Sequence, residues 1–181
     1  MSDRCLVGGT NIRASWCAVT YRTQAQGDIL LIAQGATVQA LDVASGNVQW
    51  TFELNAVNYK WGEVRVCASA ERAFVVAIAD EPTNFFGQAV TPELVVLELQ
   101  TGRLLARNRL PVSVPLGNAT NVSLLLDRGF LFVAIAAQVF AVDAHDGGLR
   151  WAYQMPLGRL ADENAFHRMA MAVAGHAVQP D

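Results

Sequence analysis

Three tight turns impose a repeat on this sequence. Gly46, Gly102 and Gly147 each follow a polar residue (Ser45, Thr101, Asp146), and each stands four positions after an acid that ends an apolar run: Asp42, Glu98 and Asp143. A short hairpin that closes through a left-handed backbone conformation needs glycine there, because a Cβ would clash. The acid before it can accept backbone N–H groups inside the turn. Short runs rich in Val, Ile, Leu and Phe flank each turn, the composition of strands. They cover residues 29–33, 38–42 and 48–50 in the first unit, 74–78, 95–98 and 104–106 in the second, and 130–134, 140–143 and 149–151 in the third. A further apolar stretch stands upstream in each unit, at 16–20, 64–67 and 122–125. Each unit therefore predicts four antiparallel strands in succession.

Ala40, Val96 and Ala141 anchor the three units, 56 and 45 residues apart, and an insertion in the second unit accounts for most of the difference. Four such strands in about 40–50 residues is the size of a β-propeller blade. The pattern Ala40-x-Asp42-x-x-x-Gly46-x-x-x-Trp50 recurs as Ala141-x-Asp143-x-x-x-Gly147-x-x-x-Trp151. It resembles the tryptophan-docking motif of quinoprotein-type (PQQ-like) β-propellers. In that family the tryptophan packs between neighbouring blades, over the small Ala and the turn Gly. The resemblance thus implies that Trp50 and Trp151 join blades. The middle unit departs from the motif, with Val96, Glu98 and Ala106 in place of Ala, Asp and Trp, while Gly102 is kept. Its joint is expected to be weaker or differently packed. The resemblance runs from Trp16 to Tyr153.

The expected fold is an all-β partial propeller of four-stranded antiparallel blades. Blade one covers about 16–54, blade two about 62–110 and blade three about 121–155, and 166–181 begins a fourth blade or supplies a shared strand. A β-sandwich or meander is the competing arrangement, but it does not require the same Gly-to-Trp offset twice. Three blades fall short of the roughly 4–8 that close a propeller. An open arc exposes an apolar face at each end. Completion by a homodimer is expected, C2 being the commonest closed symmetry. The alternative is a piece of a longer propeller.

Composition sets outer limits on partners. The chain is 52% apolar and 16% charged, with a formal net charge of -3, a balance that argues against nonspecific nucleic-acid binding. No run approaches the roughly 18 consecutive apolar residues of a membrane span. Met1-Ser2-Asp3-Arg4 is followed by no apolar signal-peptide core, so the expected compartment is the cytoplasm, although a removed leader would look the same. Cys5, Cys17 and Cys67 read as small packing residues, with a reactive thiol as the alternative.

Function is less legible. Two aromatic, polar stretches should emerge between strands on one face: Tyr59-Lys60-Trp61, and Asn84-Phe85-Phe86 within the insertion. Phe166 and His167 should join them after blade three. Loops on a rigid frame are where recognition concentrates, so these residues are the candidate face for a protein or peptide, unless the aromatics fold inward as packing. A quinoprotein dehydrogenase would need a calcium-binding acid with Asn, a catalytic Asp and a floor for the quinone. Asp42, Glu98 and Asp143 are instead claimed by turns, and no catalytic, cofactor or metal residue is assigned. Asp162-Glu163 with His167 reads as a solvated patch. The expectation is a non-catalytic interaction module that self-associates. The alternatives are a small-ligand or quinone-cofactor-binding propeller, or a fragment of a larger propeller enzyme or sensor.

Overall fold

The computed structural model describes residues 17–22, 28–34, 36–54, 64–80, 90–112, 122–135 and 138–155. They form twelve strands in three antiparallel sheets. Blade one holds β1 (Cys17–Arg22), β2 (Ile29–Gln34), β3 (Thr37–Asp42) and β4 (Val48–Glu53). Blade two holds β5 (Val64–Ala68), β6 (Arg72–Asp80), β7 (Val90–Glu98) and β8 (Leu104–Arg109). Blade three holds β9 (Val122–Asp127), β10 (Phe130–Ile135), β11 (Gln138–Asp143) and β12 (Leu149–Gln154). Within each sheet the strands lie in chain order. The first strands β1, β5 and β9 stand side by side. Three successive sheets that meet along their first strands are blades of a propeller, not the two stacked layers of a sandwich.

The alternation of side chains explains why the sheets stack. In β6 and β7, Ala73, Val75, Ala77, Val95 and Leu97 face blade one and join a core with Ile29, Leu31, Val38 and Ala40. Their neighbours Phe74, Val76, Ile78, Leu94 and Val96 face blade three and join Leu131, Val133, Phe140 and Val142. A strand buried on both faces reads as a continuous apolar run, as Phe74–Ile78 does. Cys67 packs half-buried against the second core. The outer blades are less evenly buried: β2 alternates between buried and half-buried positions, and β12 is exposed throughout, although Ala134 and Ala141 on the same side of blade three as Phe132 are fully buried.

The insertion in blade two is partly strand. β6 and β7 each run nine residues against six in the matching strands of the other blades, and their pairing extends to Asp80 opposite Val90. The apolar runs at 74–78 and 95–98 are shorter than these strands, because the pairing continues past them through Thr91, Pro92 and Glu93. Antiparallel pairing needs only backbone partners there.

Candidate blade-docking interface

The three tight turns share one backbone design. The N–H of Gly46, Gly102 and Gly147 donates to the carbonyl of Asp42, Glu98 and Asp143 at 2.8–2.9 Å. The acid's own N–H donates to the carbonyl of Asn47, Arg103 and Gly148. Each glycine lies in the left-handed region, with φ of 70°, 69° and 73°. The extra residue shifts the register just after Ala40, Val96 and Ala141. That bulge aligns Trp50 opposite Ala40, Ala106 opposite Val96 and Trp151 opposite Ala141.

The acids stabilise their turns in different ways. Asp42 accepts from the Ser45 N–H and hydroxyl, both at 2.7 Å. Asp143 accepts from the His145 N–H at 2.7 Å and from Arg150 at 2.8 Å. Glu98, one methylene longer, reaches the Thr101 hydroxyl at 2.6 Å and Arg103 at 3.3 Å. The Ser45 hydroxyl and N–H, the Thr101 hydroxyl and the Arg150 guanidinium are the leading causes that hold Asp42, Glu98 and Asp143, respectively, below the ordinary carboxylate range.

Blade one joins blade two through Trp50. Its indole is buried, at 8% exposure, and its Nε1–H donates to the Leu99 carbonyl at 2.8 Å. The ring lies against Gly102, the turn glycine of the next blade. A Cβ on Gly102 would fall 2.6 Å from indole Cδ2 and Cε3. Gly102 is therefore required twice, by its φ and by the approach of the ring. Arg107 adds a cross-blade bond of 3.2 Å to the Leu54 carbonyl.

Blade two joins blade three differently, as its degenerate motif implies. Ala106 occupies the tryptophan position, and a Cβ on Gly147 would lie 3.3 Å from the Ala106 Cβ and 3.1 Å from Val96 Cγ2. The larger Val96 fills part of the space that an indole would take. Asn108 supplies the polar link: its Nδ2 donates to the Gly147 carbonyl at 2.7 Å. Arg72 Nη2 meets His145 Nδ1 at 3.1 Å across the same joint. Sequence reasoning passed over Arg107 and Asn108. Their signal was position on β8, where side chains alternate: Asn108 shares the Ala106 side and faces blade three, and Arg107 faces back to blade one.

On blade three the motif is intact but uncovered. Trp151 is 47% exposed, and its ring contacts Phe132 of its own blade with centroids 6.0 Å apart. Phe130 continues the aromatic row, 6.3 Å from Phe132. The two motif tryptophans thus differ within one copy: Trp50 seals a joint and Trp151 ends one.

Tyr59, Lys60, Trp61, Asn84, Phe85, Phe86, Phe166 and His167, expected to form a recognition face, lie outside the described residues, as do Cys5, Asp162, Glu163 and residues 166–181, while Cys17 begins β1 opposite Gln34. Among the described residues, no group of three or more His, Cys, Asp or Glu is arranged to hold a metal ion. Asp42, Glu98 and Asp143 are engaged in their turns.

Comparison with known proteins places this geometry. The model of a family described as outer membrane protein assembly factor BamB matches residues 34–178. No curated protein matches. Among solved structures, the chain is similar to a europium-containing methanol dehydrogenase, at 13% identity and a TM-score of 0.53 over 77% of this chain and 33% of that one. It is similar to the quinohemoprotein alcohol dehydrogenase ADHIIG from Pseudomonas putida HK5, at 13% identity and a TM-score of 0.53 over 70% of this chain and 25% of that one. A third is the quinohemoprotein alcohol dehydrogenase from Comamonas testosteroni, at 16% identity and a TM-score of 0.50 over 70% and 19%. The chain spans a third or less of the length of these proteins. At such identities the likeness is one of fold. It corrects one expectation all the same. The chain was expected not to be an enzyme, yet the proteins that share its fold are dehydrogenases, so this frame is one on which catalysis is carried.

Proposed function

The chain belongs to the PQQ_2 family, described as outer membrane protein assembly factor BamB, and from that premise we propose that it works as an arc of a larger quinoprotein-type propeller. In this reading the three blades are a rigid frame, completed by further blades, that holds a ligand on the loops between strands. One observation carries it. The motif that seals blade one onto blade two recurs on blade three, where Trp151 and Phe130 stand exposed at 47% and 39%. An aromatic row of this kind is costly to leave in water. A ring in which every blade has a neighbour covers it.

The ligand face of that ring is drawn from Tyr59, Lys60, Trp61, Asn84, Phe85, Phe86, Phe166 and His167. The family's description as an assembly factor favours a protein or peptide segment there. The dehydrogenases of like fold favour a small molecule. Small-angle scattering with light scattering tests the arc itself. The expected particle is a closed disc with more blades than one chain supplies. A stable monomer in which the Trp151 contribution to the emission, isolated by difference against Trp151→Phe, stays that of a water-exposed indole overturns it. Melting curves with pyrroloquinoline quinone and calcium then separate the ligand classes, since a ligand present at about 100 times its Kd stabilises by roughly 2.7 kcal/mol.

A further inference from the structure

The joint between blades two and three contains a polar contact that works in one direction only. Side chains alternate along β6, so Arg72 shares the face of Phe74, Val76 and Ile78 and points at blade three. Its Nη2 lies 3.1 Å from Nδ1 of His145, in the tight turn of that blade. A guanidinium carries donors and no acceptor, and it stays charged in proteins. Nδ1 of His145 is therefore the acceptor, which makes the ring neutral with its proton on Nε2. Arg72 has little else to hold. Its side chain is 19% exposed, and its Nε is buried with no hydrogen-bond partner. Glu71 lies 3.8 Å from Nη1 but is itself 81% exposed, so solvent screens that pair. Among the described residues, the His145 nitrogen is the one hydrogen-bond acceptor this guanidinium meets.

Protonation of His145 reverses the contact. Nδ1 then carries a proton, a donor faces a donor, and two cations stand at hydrogen-bond distance. The nearby acids are already engaged. On the turn of blade three, Asp143 accepts the His145 backbone N–H, and Arg150 bridges Asp143 and Asp146. On blade two, Glu98 pairs across the strands with Arg72, but its carboxylate is held by Thr101 and Arg103. From β8 the neutral Asn108 faces the same turn. We propose that Arg72 and His145 form an acid-released latch between blades two and three, closed while the imidazole is neutral and open once it is protonated. The apolar core of the joint, with Phe74, Val76, Leu131 and Phe140, and the bond from Asn108 to the Gly147 carbonyl do not titrate. Acid therefore weakens this joint without parting the blades. The closed latch admits only the neutral ring, and the open one admits both forms. Opening takes up a proton, so stability falls as pH falls through the range in which imidazoles titrate, about pH 5–8. The latch lies wholly between two described blades and needs no further blade or partner.

His145→Gln tests it, because the amide oxygen can still accept from Arg72 but the side chain does not titrate. His145 is exposed, and far-UV circular dichroism should show the variant folded. Urea unfolding is followed from about pH 8 to about pH 5. Over that span the wild type should lose about fivefold more in its folding equilibrium constant than His145→Gln, the scale of one hydrogen bond. The carboxylates and the other two histidines are common to both proteins and cancel in the comparison. In an Arg72→Gln background the same exchange should leave no such difference, because a glutamine amide can turn to meet either form of the ring. Nitrogen-15 NMR of the imidazole near pH 8 should find Nδ1 of His145 without a proton. Parallel pH curves for wild type and His145→Gln overturn the latch. So does a difference that persists without Arg72, or a neutral ring that carries its proton on Nδ1. All of these outcomes leave the reading of the chain as a propeller arc standing.

Discussion

Replacing Trp50 with alanine should cost this protein a large share of its stability. The indole is 8% exposed, lies on Gly102 of the next blade and donates to the Leu99 carbonyl at 2.8 Å. A buried Trp→Ala change typically costs about 3–5 kcal/mol, part of it from the cavity left behind. Leu99 is fully buried, so its carbonyl would also lose its donor. Trp50→Phe isolates that second part, since it keeps most of the apolar contact and removes only the hydrogen bond, worth about 1–3 kcal/mol if the acceptor is left unsatisfied. Against a total stability of about 5–15 kcal/mol these are large fractions. With roughly 2–4 °C of Tm per kcal/mol at this chain length, the alanine variant should melt about 6–20 °C lower. Urea titration followed by far-UV circular dichroism, at one protein concentration, measures both variants. The slope of the transition reports whether blade one has begun to unfold separately from blades two and three. A loss below about 1 kcal/mol for Trp50→Ala would refute the reasoning, because an indole that seals two sheets cannot be removed at the cost of a surface residue.

The second joint makes the opposite prediction. Ala106→Trp, which restores the motif by sequence, should destabilise by about 1–3 kcal/mol through overpacking, because Val96 and Asn108 already occupy the space before Gly147. Adding Val96→Ala and Asn108→Ala should recover most of that loss in the same urea assay, and a stabilising single substitution would contradict the packing described. Acid sensitivity follows from the turn carboxylates. Asp143 is held below its ordinary value of 3.8, first by its bond from Arg150 and then by the His145 N–H. A folded-state pKa lowered in this way gives stability that is complete above the ordinary carboxylate range and is lost as pH falls through the lower folded value. Asp143→Asn should therefore be less stable than wild type at neutral pH, and the gap should close as pH falls below the ordinary carboxylate range. Thermal melts across that range check it, and a gap that stays constant with pH would refute the assignment.

What could be read from the chain alone follows the range of the forces involved. The turn at Gly46, Gly102 and Gly147, with its acid four residues earlier, is built from contacts within six residues, and it formed with one backbone geometry in all three places. The strands on either side were legible for the same reason, as apolar runs that alternate or stay continuous according to how many faces they bury. The extension of β6 and β7 to Asp80 and Val90 was not legible, because backbone pairing carries it past the end of the apolar pattern. Nor were Arg107 and Asn108, whose partners Leu54 and Gly147 lie 53 and 39 residues away.

The same turn glycine has three different lives in this molecule, and no local pattern separates them. Gly102 bears an indole, Gly147 meets Val96, Ala106 and Asn108, and Gly46 faces open space. Trp50 and Trp151 likewise occupy equal positions in equal motifs, one buried and one half in water. The residues themselves determined the hairpin, the strand faces and the kind of joint each blade can make. Only the order of sheets around the arc decided which joints are closed, because docking depends on the blade that stands next in space and not on the residues that stand next in the chain.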